Sequence, residues 1–359
     1  MVNLREMISM AYNWAFFEHN VTLPIPSNHL TRMRTFSPVD LPHLLVFGIR
    51  RWLHHMSLVS RFRRNLTLAD WTSLSDLYAR PVMLFYYYTV FLWARYCDVL
   101  DTVLAEPDKC IVAELFLRYN CELDSMIDCP EGPTRLRADP WFPKRASGTR
   151  ALASELWKAL HAAGLPRTAE REVLRLARSY RQTYLRTMQR AAVEPIVTLT
   201  KAQILEDKSR IAGGIWGTWS RILGWLYSVP HPRAERAEAI FQAYGMIIQV
   251  LDDTADLPKD VADNQANLLY AFVKNVPDEA ARLEALLHDG VGPFLSTYWE
   301  RVNLPHAYAQ AWGLMDEYLA AIESLDPEGR ITPDFLDFLD VIRHISNCPP
   351  RREALLARS

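Results

Sequence analysis

Apolar residues recur at three- and four-residue spacing along almost the whole chain, and few segments alternate apolar with polar. That period belongs to helices buried along one stripe, not to strands. The stretch 112–127 is a clear case, where Val112, Leu115, Phe116, Tyr119, Leu123, Met126 and Ile127 form one continuous face. The pattern predicts helices at 4–18, 43–62, 69–79, 82–103, 109–128, 149–163, 167–192 and 199–227. It predicts more at 233–257, 265–274, 277–302, 305–325 and 333–346. Breaks fall where proline punctuates the chain, at Pro24, Pro26, Pro38, Pro42, Pro81, Pro230, Pro232 and Pro305, with Thr332-Pro333 reading as a cap and first turn. No internal repeat or low-complexity linker divides the sequence. The expectation is one all-α domain over 1–359, with 1–42 as an N-terminal extension.

Composition excludes several function classes. Only 13 of the 359 residues are glycine, and neither GxGxxG nor GxxxxGK[ST] occurs, which argues against a dinucleotide or P-loop enzyme. Lys and Arg number 40 against 42 Asp and Glu, so the chain lacks the basic excess of a general nucleic-acid binder. Cys97, Cys110, Cys121, Cys129 and Cys348 show no CxxC spacing, which points to a reducing compartment without a zinc or disulfide framework. Arg5 and Glu6 stand where a signal peptide would be apolar. The longest charge-free apolar run, Pro81 to Ala94, would make a helix of about 21 Å, short of a ~30 Å bilayer core. A soluble, cytoplasmic protein without a membrane span is expected.

Clustered carboxylates carry the chemistry. In the segment QVLDDTADLPKDVADNQANLL, Asp252, Asp256 and Asp260 stand at i, i+4 and i+8, so a helix sets them on one face about 6 Å apart along the axis. Bare carboxylates at that spacing repel one another, and hard divalent cations such as Mg²⁺ remove the repulsion. Lys259 lies beside them. A second acidic helix end carries Asp124 and Asp128, just before a long connection from Cys129 to Gly148 that is rich in proline. A competing first motif is Asp98 with Asp101 in RYCDVLDTV, where Arg95 is a candidate partner for Asp98. The basic side is Lys208 with Arg210, one turn before Gly213-Gly214, a pair that weakens a helix and opens backbone amides to an anion. The plainer reading of Arg210 is a surface pair with Glu206. Likewise, Arg171, Arg175, Arg178, Arg181, Arg186 and Arg190 on the predicted helix 167–192 read first as a solvated face.

These residues carry a resemblance. DDTADLPKD followed by NLL resembles the second metal motif of class I terpene synthases, (N/D)Dxx(S/T)xxxE, with Asp252, Asp256 and Asp260 at the three ligand positions and Lys259, Asn267 and Leu268 matching the family's flanking Lys and NL pair. Asp256 replaces a hydroxyl residue and Asp260 a Glu. Gln249 with Asp252-Asp253-x-x-Asp256 also resembles the QxxDDxxD motif of trans-prenyl diphosphate synthases. Separations from Asp124 and Lys208 to Asp252 are similar to those between the first acidic motif, the diphosphate sensor and the second motif in microbial cyclases. Lys208 stands where the sensor is usually Arg. Arg343-His344 lies in the region of a C-terminal Arg-Tyr pair. No Gly-Gly-Lys-x-x-Arg motif for a second diphosphate occurs.

The resemblance implies a class I isoprenoid synthase helical bundle around a central apolar cavity. It implies Mg²⁺, three ions once diphosphate is bound, held by Asp124, Asp128, Asp252, Asp256 and Asp260. Lys208, Arg210, Lys259 and Arg343 would contact a C10–C20 prenyl diphosphate. Tyr87, Phe91, Tyr119, Trp216, Trp219 and Trp312 would line the cavity. The implied activity is a carbon–oxygen lyase that ionises the diphosphate and cyclises the carbocation. The alternatives are a prenyltransferase, chain-elongating or head-to-head, and an inactive helical scaffold that binds an isoprenoid or a partner. Monomer and homodimer both remain open.

Overall fold

The computed structural model describes residues 82–127, 146–191, 193–262, 264–288, 304–333 and 335. Every regular element among them is helical. In chain order these are α1 (Val82–Tyr96), α2 (Leu100–Ala105), α3 (Ile111–Ile127), α4 (Ala146–Ala162), α5 (Arg167–Ala191), α6 (Lys201–Lys208), α7 (Gly214–Leu226), α8 (His231–Ala255), α9 (Leu257–Ala262), α10 (Leu268–Val273), α11 (Pro277–His288) and α12 (Pro305–Leu325). Short 3₁₀ turns lie at Pro107–Cys110 and Ile196–Thr198, and a π-turn at Ser209–Gly213. The expected helices 4–18, 43–62 and 69–79, and most of 333–346, lie outside the described residues.

The described residues fall in two compact units, one within Met1–Arg178 and Thr218–Glu238, the other within Ser179–Gly217 and Ala239–Ser359. In the first, the apolar face read from 112–127 is buried at Val112, Leu115, Phe116, Tyr119 and Leu123, and α3 packs on α4 through Leu152, Leu156 and Leu160. Several buried polar groups are paired there. Trp93 Nε1 donates to Ser220 Oγ at 3.0 Å, Tyr227 Oη donates to the Glu106 carbonyl at 2.9 Å, and Glu114 pairs with Arg118 at 2.8 Å. Arg221 bridges Glu172 and Glu238, tying α5, α7 and the start of α8 together.

In the second unit, α8 crosses the π-turn and the start of α7 at close range. A Cβ on Gly245 would lie 2.6 Å from the Ala212 carbonyl oxygen and 2.7 Å from the Trp216 ring. Only hydrogen fits there, so glycine sets the approach of the two backbones. Phe241, Tyr244 and Phe335 meet with ring centroids 5.0–5.8 Å apart beside this crossing.

Candidate functional site

The acidic segment sits at the end of α8. A bend at Asp256, followed by Pro258 near the start of α9, ends the long helix. The hydrogen-bond ladder still runs through the bend, from Asp256 N to the Asp252 carbonyl at 2.8 Å and from Asp260 N to the Asp256 carbonyl at 2.9 Å. The i, i+4, i+8 staging therefore survives, but the three environments differ. Asp252 is exposed, Asp256 is half-buried and Asp260 is only 7% exposed.

The organising group is a residue outside that stripe. Asp253, 1% exposed, accepts Lys208 Nζ at 2.8 Å, Gln249 Nε2 at 2.6 Å and the Leu268 backbone N–H at 2.7 Å. Asn267 Nδ2 donates to the Asp253 carbonyl at 2.6 Å and to Asp260 Oδ2 at 2.8 Å, while its Oδ1 caps α10 by accepting Tyr270 N. The Asn-Leu pair after the acidic motif thus fastens α10 to both buried aspartates. Burial alone would discharge Lys208, yet the charges of Asp253, Asp260 and Asp252 and the Asp253 hydrogen bond outweigh it and hold the ammonium protonated. Burial pushes Asp260 up to about 8, with Lys208 pulling against it and Asp253 adding to the rise.

Lys208 and Arg210 go separate ways. Arg210 is half exposed and pairs with Glu206 one turn back, on the surface. The glycines after them are filled by packing. A Cβ on Gly214 would lie 3.0 Å from the Tyr180 ring, and Tyr180 Oη donates to the Gly214 carbonyl at 2.8 Å. The helix is not opened there; it runs on through the π-turn into α7.

In the first unit the expected helix 82–103 is interrupted. α1 ends at Tyr96, Asp98 takes a left-handed φ of 56°, and α2 begins at Leu100. Asp98 and Asp101 therefore do not share a helical stripe. Asp98 pairs with Arg233, which also donates to the Cys97 carbonyl at 3.5 Å. Arg95 lies over the Phe91 ring at 5.7 Å. Cys97 is buried, which pushes its thiol pKa up. Asp101 is exposed in the first turn of α2.

Of the expected cavity aromatics, Phe91, Tyr119 and Trp219 are buried in the first unit. Trp216 meets Tyr244 edge-on at 5.2 Å in the second, and Trp312 is half-buried on α12. The backbones of Asp124, in α3, of Tyr87, in α1, and of Lys259, in α9, are described without their side chains. Asp128, Arg343 and most of the connection 129–148 lie outside the described residues.

Hard divalent cations take carboxylate oxygens. Among the described residues, no group of three or more His, Cys, Asp or Glu side chains is arranged to hold a metal ion. Asp260 is engaged by Asn267. Asp252, which accepts Gln249 Nε2 at 3.3 Å, and Asp256 stand one turn apart, partly open to solvent, as a two-carboxylate set. That set fits Mg²⁺, which needs only one or two protein carboxylates when phosphate oxygens and water complete its shell.

Comparison of the chain with protein-family models, curated proteins and solved structures yields no match. No described helix is long and apolar enough to cross a membrane.

Asp253 lies off the i, i+4, i+8 stripe, so the spacing of the acids does not single it out. Its signal was present in the adjacent Asp-Asp, where only one of two neighbouring carboxylates can share that face.

Proposed function

We propose that the chain is a Mg²⁺-dependent class I terpene synthase that ionises a linear C10–C20 prenyl diphosphate and cyclises the resulting carbocation. The observation that carries this reading is a protonated, largely buried Lys208 set among Asp252, Asp253 and Asp260, with Asp252 and Asp256 still accessible. An ordinary surface helix end does not bury a lysine against a run of aspartates.

Asp252 and Asp256 would hold the metal and so orient the diphosphate, with Asp124 and Asp128 retained as the proposed first acidic motif. An ion held there would supply Lewis-acid neutralisation of the leaving group. Lys208 adds a fixed positive charge, kept in place by Asp253 and Gln249, against which negative charge on the leaving oxygen is stabilised. Asp253 takes no part in bond breaking; it aims the lysine. The aromatic face of Trp216 is suited to an adjacent cation. A pocket closed to water would keep that cation from being quenched to an alcohol.

Gln249 favours a second reading. Its amide donates to Asp253 and, at 3.3 Å, to Asp252, as the first residue of a QxxDD motif would. That reading is a prenyltransferase.

Incubation with C10, C15 and C20 prenyl diphosphates, with and without Mg²⁺, separates the possibilities. Metal-dependent diphosphate release with cyclic hydrocarbon products is expected, and Asp252→Ala should reduce turnover about 100-fold or more with helical content intact. A longer prenyl diphosphate on addition of isopentenyl diphosphate would give the prenyltransferase. Absence of diphosphate release from every substrate would leave a binding scaffold.

A further inference from the structure

The face of α5 that points away from the core is a row of arginines. Arg167, Arg171, Arg175 and Arg178 stand at i, i+4, i+8 and i+11, all exposed, spanning about 17 Å of helix. Ala169, Val173 and Ala177 on the opposite side are buried. The acids of this segment are engaged on its flanks. Glu170 lies 3.9 Å from His161 of α4, and Glu172 binds Arg175 at 2.7 Å and Arg221 at 3.4 Å. Among the described residues no carboxylate pairs with Arg167, Arg171 or Arg178. The chain as a whole carries a net charge of −2, so this excess is local.

A large apolar side chain is exposed on the preceding helix. Trp157 on α4 is 51% exposed, flanked by exposed Lys158 and one turn before His161, the residue that reaches Glu170 next to Arg171. This surface combines an uncovered indole on α4 with exposed guanidiniums on the helix that follows. It is the combination used at a bilayer surface, where Trp sits at headgroup level and Arg forks bind phosphate oxygens.

We infer that the outer face of α4 and the first three turns of α5 docks on anionic phospholipid headgroups. A convex helix face meets a flat sheet of phosphates along its whole length, whereas single-stranded nucleic acid is tracked by a charged groove. Docking of this kind is peripheral and reversible. It needs no spanning segment and is independent of any chemistry elsewhere in the chain.

Co-sedimentation of the full chain with vesicles tests this. Binding is expected to phosphatidylcholine mixed with phosphatidylglycerol, to be absent with phosphatidylcholine alone, and to fall as salt is raised. Arg171→Gln combined with Arg178→Gln should weaken partitioning about 30-fold. Arg210→Gln with Arg282→Gln, which removes the same charge elsewhere, should leave it unchanged. Trp157→Ala should weaken binding in a way that added salt does not mimic. Because all four arginines are exposed, circular dichroism of the variants should match the parent. Equal binding to both vesicle types, or equal loss from the two charge-matched double variants, overturns the inference. So does tighter binding to an oligonucleotide than to the anionic vesicles, or a change in oligomeric state in the Arg171/Arg178 variant without a change in vesicle binding.

Discussion

Two buried aspartates in the second unit, each at the end of a long helix, are neutralised in opposite ways. Asp326, 3% exposed, follows α12 and accepts four short-range bonds: Arg330 N at 3.0 Å, Ile331 N and Thr332 N at 2.9 Å, and Thr332 Oγ1 at 2.8 Å. Its partners lie within six residues and, apart from one hydroxyl, are backbone dipoles. Asp253, 1% exposed, closes α8 with a lysine brought from α6 and the first N–H of α10. A carboxylate that only has to stop a helix can be satisfied locally by its own loop. One held by a distant cation ties three helices into a single electrostatic unit and leaves a charge fixed beside solvent-accessible Asp252.

The contrast breaks most visibly at Asp253→Ala. Removing one member of a buried ion pair leaves the other uncompensated, so a loss of about 3–5 kcal/mol is expected in urea unfolding. Combining Asp253→Leu with Lys208→Met should recover much of that loss, because neither charge is then stranded. A double variant no more stable than the single one would remove the ion pair from the account.

Asp326→Ala should cost less, about 2–3 kcal/mol, through orphaned backbone N–H groups that water can partly reach. No second substitution should rescue it, since its main partners are not side chains. Rescue by any side-chain change in 330–332 would erase the distinction.

The next test uses pH. With Asp260 raised from an ordinary 3.8 to about 8, the folded chain holds that proton more tightly than the unfolded chain. Its stabilising contribution is full below the lower value and is lost as pH rises through the upper one. Stability should therefore decline across that interval, and Asp260→Asn should flatten the decline. An unchanged slope in Asp260→Asn would place the titrating group elsewhere.

The smallest effect is expected at Arg210→Ala, a few tenths of a kcal/mol, because its pair with Glu206 is exposed. A loss approaching that of Asp253→Ala would mean that Arg210 shares the interior network.

What the sequence disclosed follows the range of the interactions. Periodicity placed 305–325 on the residues observed, and 167–192 to within one, because burial of one helical stripe is written in local spacing. The break at 97–99 was not legible, since no Gly or Pro marks it. Asp98 tolerates the left-handed turn, as Asp and Asn do more readily than other residues, and pairs with Arg233 from far along the chain. Gly213-Gly214 was legible as a singular point but not in its purpose, because Tyr180, which fills the space at Gly214, arrives from another helix. The acidic stripe gave the place of the site. Which carboxylate turns inward depends on where Lys208 and Asn267 come to rest, and no spacing rule contains that.

The π-turn at Ser209–Gly213 has a consequence for how the gene can change length. Such a turn is one residue inserted into an otherwise regular helix. Deleting a single codon there would restore the plain α-helical frame and swing everything before it by about 100° relative to α7. Lys208 would then sweep away from Asp253, while Trp216 on α7 kept its place against Gly245. The surface loops of such a chain tolerate insertions and deletions, but this five-residue stretch, wholly inside a helix, is where the reading frame of the fold itself is kept.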